Sequence, residues 1–136
     1  MKKYLLYSLL AAATFIGSCS KDTTMAETNL AQKMIQDKAW FLDYSQTGTL
    51  TKTYVGQGTY YINFLKNLTT QDSDGLNGSY SVEKINGQLQ IHVQAKTSNG
   101  NPIEYIYDIV SVGSENLILS YTLSGKTTQL YYTSKR

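Results

Sequence analysis

This chain has little with which to do chemistry. In 136 residues it has one cysteine (Cys19), one histidine (His92) and one proline (Pro102). A lone cysteine excludes an intrachain disulfide and argues against cysteine-based metal sites. A lone histidine leaves no second imidazole for a zinc site, and alternation puts His92 on a polar strand face with Gln90 and Gln94. No Gly-x-Ser-x-Gly elbow occurs. Gly56-Gln57-Gly58 lacks the strand–loop–helix setting of a phosphate-binding loop. Glu104 and Asp108 share a strand face around Ile106 and read as solvated surface. No apolar run reaches the roughly 20 residues that a membrane-spanning helix needs. The expectation is a protein that is not an enzyme, with no catalytic residue, no metal ligand and no cofactor.

What is present begins at the amino terminus. Lys2 and Lys3 precede an apolar run from Tyr4 to Ile16, too short to span a bilayer and right for an export signal. Gly17, Ser18 and Cys19 follow. An aliphatic residue, two small residues and a cysteine resemble a bacterial lipobox. That resemblance implies diacylation of the Cys19 sulfur, cleavage before Cys19 and acylation of the freed amine. Each buried methylene contributes about 0.8 kcal/mol, so two or more chains make a stable anchor. Residues 1–18 then form a lipoprotein signal peptide and 19–25 a polar tether ending in the domain 26–136. Lys21 and Asp22 after the cysteine resemble the surface-export signals of Bacteroidetes lipoproteins, with fewer acidic residues than usual. The expected address is the cell envelope, at the outer membrane, with the periplasmic and surface-facing leaflets both open.

Removing residues 1–18 leaves 118, enough for one domain. Lys2 and Lys3 leave with the signal, so ten basic residues face ten acidic ones. No basic stripe remains to neutralise phosphates, which excludes nucleic acid as the expected partner. Ten tyrosines remain, with abundant Thr, Ser, Asn and Gly, which is strand-and-turn chemistry.

Thr24-Met25-Ala26-Glu27 matches a capping box, and Leu30, Ala31, Met34 and Ile35 fall at helical spacing. The spacing predicts one short helix over 26–38, covering an end of the domain. From Ala39 the period becomes two. Strands are expected at 40–44, 51–55, 59–65, 78–85, 88–96, 103–112, 117–122 and 127–133, with 71–75 a polar loop. Asn86-Gly87 is a strong hairpin signal, because a type I′ turn needs positive φ at both central residues. Tight turns leave no room for crossovers, so the sheet is antiparallel and up-and-down. Closing it removes both raw edges. The expected fold is all-β: an eight-stranded antiparallel up-and-down barrel with a short N-terminal helix.

The lipobox, the short helix, Trp40 opening the first strand, Gly58-Thr59-Tyr60, Gly78-Ser79-Tyr80 and the Asn-Gly hairpin together resemble the lipocalin-like lipoproteins of Bacteroidetes. The resemblance covers residues 37–135 and implies a lipocalin-like barrel. The Gly-x-Trp motif of true lipocalins is replaced by Lys38-Ala39-Trp40. A barrel of eight strands is filled by its own side chains or holds one small ligand. Inward candidates include Ile62, Phe64, Leu89, Ile91, Val93 and Leu119. The candidate ligand-binding residues are Tyr60, Tyr80, Tyr105, Tyr107 and Tyr121, because a tyrosine buries an apolar body while its hydroxyl seeks a partner. Two functions follow. One is binding of a small apolar or amphipathic ligand. The other is a filled-core barrel acting as an accessory, interaction or inhibitory subunit with an envelope protein partner.

Cys19→Ala is expected to release the protein from membrane fractions or leave it unprocessed. Fractionation with metabolic fatty-acid labelling checks this, and an acylated, membrane-held product of the variant would refute the lipobox.

Overall fold

The computed structural model describes residues 19–55, 60–97 and 99–135, with side chains from Thr24 onward. The expected signal peptide and the Cys19 side chain lie outside the described residues. Alternation and turn chemistry produce one helix, α1 (Cys19–Ile35), and nine strand segments. These are β1 (Ala39–Thr47), β2 (Leu50–Thr53), β3 (Tyr61–Phe64), β4 (Thr69–Asp72), β5 (Asn77–Ile85), β6 (Gln88–Lys96), β7 (Pro102–Val112), β8 (Asn116–Leu123) and β9 (Lys126–Thr133).

Every strand pairing is antiparallel, and β9 returns to pair with β1 from Phe41↔Thr133 to Thr47↔Thr128. On its other side β1 carries two partners. Its outer half pairs with β2 (Tyr44↔Thr53) and its inner half with β3 (Phe41↔Tyr61). β2 and β3 are therefore successive parts of one ribbon, whose bonding to β1 continues through the Tyr54 amide to the Asp43 carbonyl at 2.8 Å and from the Leu42 amide to the Tyr60 carbonyl at 3.0 Å. Eight ribbons close into the expected barrel. The composition of the ring differs from expectation in two places. Residues 51–55 and 59–65 belong to one ribbon rather than two. The first two residues of the segment read as loop, Gln71 and Asp72, belong to β4, whose Thr-Thr-Gln-Asp sequence has no apolar alternation to announce it.

Two hairpins follow from their residues. Asn86 (φ 51°) and Gly87 (φ 82°) both take positive φ, as do Ser124 (50°) and Gly125 (75°), so each two-residue loop twists with its flanking strands. The register of β1 shifts between Leu42 and Tyr44, and that of β7 between Ile109 and Ser111. Such bulges bend a strand and sharpen its twist, which helps a sheet curl shut.

The helix begins earlier than expected. The Thr24–Glu27 capping box lies inside α1, and the residues expected as a tether are helical. Ser20 to Thr23 contain no glycine or proline to stop a helix once packing of its last turns has nucleated it. Thr28 Oγ1 bonds back to the Thr24 carbonyl at 3.1 Å, an interior pattern. Glu27 pairs with Lys84 of β5 instead of capping. Ala31 and Ile35 are buried against the barrel, whereas Leu30 is exposed. The helix ends where Asp37 takes φ 59° and donates its amide to the Phe64 carbonyl at 2.9 Å. Among the described residues no helix is long and apolar enough to cross a membrane.

The α1 end of the barrel is packed solid by Trp40, Phe64, Ile91, Val93, Leu117 and Leu119. The Trp40 indole donates to the Ile35 carbonyl at 2.9 Å, satisfying one of the orphan acceptors of the last helical turn. One side chain thus joins the helix to the first strand. Trp40→Ala is expected to destabilise by about 3–5 kcal/mol, because it opens a large cavity in a rigid core. Denaturant titration measures this, and a near-neutral effect would mean the indole does not hold plug and barrel together.

Candidate functional site

The other end of the barrel is hollow. Inward positions there include small residues: Ser45 on β1, Gly78 and Ala95 facing each other across β5 and β6, and Thr128 on β9. A methyl group at Gly78 would come within 2.3 Å of the Gln94 carbonyl oxygen, so the two strands approach too closely for any other residue. Two adjoining cavities lie at this end, of about 470 and 800 Å³. They share Tyr60, Asp74, Tyr105 and Tyr107.

Four of the five tyrosines singled out in the sequence meet here. Tyr105 and Tyr107 lie on β7 with rings stacked at 6.1 Å and 19°. Tyr107 meets Tyr121 of β8 edge to face at 6.2 Å and 88°. Tyr60 donates its hydroxyl to Asp72 Oδ2 at 3.1 Å. Alternation along β7 and β8 places these rings on the inner face.

Tyr80 is at the opposite end and lines neither cavity. It is buried against Phe64, donates to the Leu65 carbonyl at 3.0 Å and accepts from Gln36 Nε2 at 2.8 Å. It is buried in the core, but its height along β5 puts it beneath the plug. There it links the chain after α1 to the β3–β4 turn.

Two further tyrosines line the larger cavity: Tyr54, just past β2, and Tyr132 of β9. Tyr132 keeps parity with Leu130 and Thr128, and that alternation was a usable signal. Tyr54 falls within the strand expected at 51–55, and its amide bonds to the Asp43 carbonyl at 2.8 Å, but it was not singled out as a site residue. Carboxylates at the mouth were also missed as site residues. Asp72 Oδ1 accepts the amides of Asp74 and Leu76 at 2.9 and 2.8 Å, which folds the β4–β5 turn over the rim. Asp74 and Glu104 line the larger cavity. Outside the barrel, His92 contacts Gln90 at 3.1 Å and Asp108 accepts from Gln90 Nε2 at 2.9 Å. Among the described residues no group of three or more His, Cys, Asp or Glu is placed to hold a metal ion.

Burial sets the protonation of the lining. It pushes the Tyr107 phenol up to about 12, with smaller contributions from Tyr105, Tyr121 and Asp72. Burial also raises Tyr60, helped by the adjacent Asp72 carboxylate, and raises Tyr132 well above the ordinary phenol range. The Tyr60, Tyr107 and Tyr132 hydroxyls are thereby held as neutral donors at physiological pH.

The sign of the linkage follows. Above pH 10 the unfolded chain loses phenolic protons that the folded cavity retains. Stability is expected to be unaffected by these groups below pH 10 and to fall as pH rises through about 12. Denaturation midpoints across that range, read beside ultraviolet titration of the tyrosines, check the direction. Tyr107 ionising near 10 in folded protein would show an open, wet site. Protein-family models, curated proteins and solved structures offer no match to this chain.

Proposed function

We propose that this chain is an envelope lipoprotein of lipocalin-like type, held at the outer membrane by lipid on Cys19, that binds a small apolar or amphipathic molecule and does not transform it. The observation that carries the reading is the cavity of about 800 Å³ at the open end of a barrel whose other end is plugged. Small-molecule sites are typically concave, about 300–1,000 Å³ and mostly apolar with a few polar groups. Leu42, Leu130 and six tyrosine rings meet that description. Eight strands suit one such ligand.

Several observations favour capture over conversion. Burial holds the Tyr60, Tyr107 and Tyr132 phenols protonated, and the only imidazole of the chain is on the outer face. The Asp72 carboxylate is committed to the turn and to Tyr60. The rival reading, an accessory subunit acting through its outer surface, calls for a core filled from end to end, and only the plugged half is filled.

A neutral apolar fluorophore such as N-phenylnaphthylamine is expected to bind saturably, one per chain, with enhanced emission. Leu130→Trp, which adds bulk inside the cavity, is expected to reduce that binding at least about ten-fold, a loss of about 1.4 kcal/mol. Far-ultraviolet dichroism confirms that the variant is folded. A folded variant that binds as before would place the ligand elsewhere, and wild-type protein that never saturates would end the carrier reading.

A further inference from the structure

The amino-terminal helix fixes which end of the barrel is tied down. Cys19 is the first residue of α1, and Ser20 to Thr23 continue the helix with no flexible linker between them. A helix rises about 1.5 Å per residue, so Met25 stands about 9 Å along the axis from Cys19. The last turns of the same helix, through Ala31 and Ile35, seal the plugged end. Whatever holds Cys19 therefore holds the plugged end close to it.

The face of α1 turned away from the barrel suits a lipid surface. Met25 (62% exposed) and Leu30 (61%) lie outside the core, and Asn29 and Lys33 are exposed beside them. A helix with apolar side chains and a lysine on its free face can lie in the headgroup boundary, the lysine stem buried and its ammonium in water. Leu68 in the β3–β4 turn and Ile85 at the end of β5 add exposed apolar side chains at this end. Charge agrees. Lys66, Lys84 and Lys135 pair here with Asp37, Glu27 and Glu115, whereas Lys33 and Lys38 belong to no ion pair among the described residues. Glu83 accepts from Ser81 on the outer wall of β5. The surplus is positive, and cations near a bilayer are drawn to anionic headgroups.

Exposure alone does not choose between the two ends. Leu50 and Leu123, at the hairpins of the open rim, are 76% and 70% exposed. Connectivity chooses. Leu50 lies past the far end of β1, whose nine residues span about 30 Å along the strand. Acyl chains on Cys19 enter the bilayer from the plugged end.

We infer that the plugged end is a membrane-docking face. α1 lies on the bilayer that holds the Cys19 acyl chains, with Met25 and Leu30 in the headgroup boundary and Lys33 at anionic headgroups. The barrel stands mouth outward, and its cavity exchanges ligand with the aqueous side. This rests on the lipoprotein reading above and extends it from an anchor to a pose.

Depth measured at both ends tests the pose. Leu30→Trp and Leu50→Trp each place an indole at an exposed position, one on α1 and one on the open rim, with Trp40 common to both. Each acylated variant is reconstituted into vesicles of phosphatidylethanolamine and phosphatidylglycerol whose acyl chains carry bromine, a contact quencher. Relative to unbrominated vesicles, the indole at position 30 is expected to lose most of its emission. The indole at position 50 is expected to lose none beyond the Trp40 background. Quenching at both positions, at neither, or at 50 alone would overturn the pose. Adding Lys33→Glu to Leu30→Trp is expected to weaken the quenching, and quenching left unchanged would overturn the role given to that lysine. An intact mass without acyl chains would remove anchor and pose together. Saturable N-phenylnaphthylamine binding, measured before reconstitution, reports on the cavity separately, so loss of the pose leaves the binding reading standing.

Discussion

The pairing of the last strand with the first is the constraint on which everything else rests. It joins Phe41 to Thr133 and Thr47 to Thr128, and it satisfies backbone groups that would otherwise line two raw edges. Closure also fixes the width of the interior. Once eight ribbons form the ring, the space inside is set by geometry, and side-chain size decides what happens to it. Toward α1 the inward residues are large, and the space is used up by Trp40, Phe64 and the aliphatic residues around them. Toward the other rim, Leu42, Leu130 and six tyrosine rings line the space without filling it. Filled and hollow halves are two answers to the same fixed diameter.

The helix belongs to the same logic. A ring has two mouths, and one is closed by the chain's own amino-terminal segment. Ala31 and Ile35 supply the buried stripe, and Trp40 and Tyr80 hydrogen-bond to the chain on either side of the helix end. The Lys38 ammonium lies 5.0 Å from the Trp40 ring and donates to the Ser114 carbonyl, which ties the β7–β8 turn to the same corner. Closure at this end leaves the cavity to open at the other.

Most of the architecture was readable in advance, because a barrel repeats one signal. Leu89, Ile91, Val93 and Ala95 alternate cleanly, and Asn86-Gly87 and Ser124-Gly125 announce their turns. The reading weakened where the signal is local and polar. β4 has threonine and aspartate at its inward positions, so periodicity could not find it, and it exists because β3 and β5 offer it hydrogen bonds on both sides. The start of α1 was misplaced because a capping motif is only one of several ways a helix begins. At the site, parity identified which tyrosines face inward, but it carries no information about height along the axis. That is why Tyr80 was grouped with Tyr60, Tyr105, Tyr107 and Tyr121 although the plug covers it. The acidic residues near the cavity went unremarked for a related reason: Asp74 read as part of a polar loop and Glu104 as solvated surface, and only the fold brings both beside the larger cavity.

The split second ribbon has a further consequence. Thr53 and Tyr61 are each held in register by β1, and the bonds from the Tyr54 amide to Asp43 and from the Leu42 amide to the Tyr60 carbonyl carry that hold to two rings of the cavity. One strand thus sets the position of both rings, so a slip of β1 along its own axis would move Tyr54 and Tyr60 together and reshape the cavity from one side.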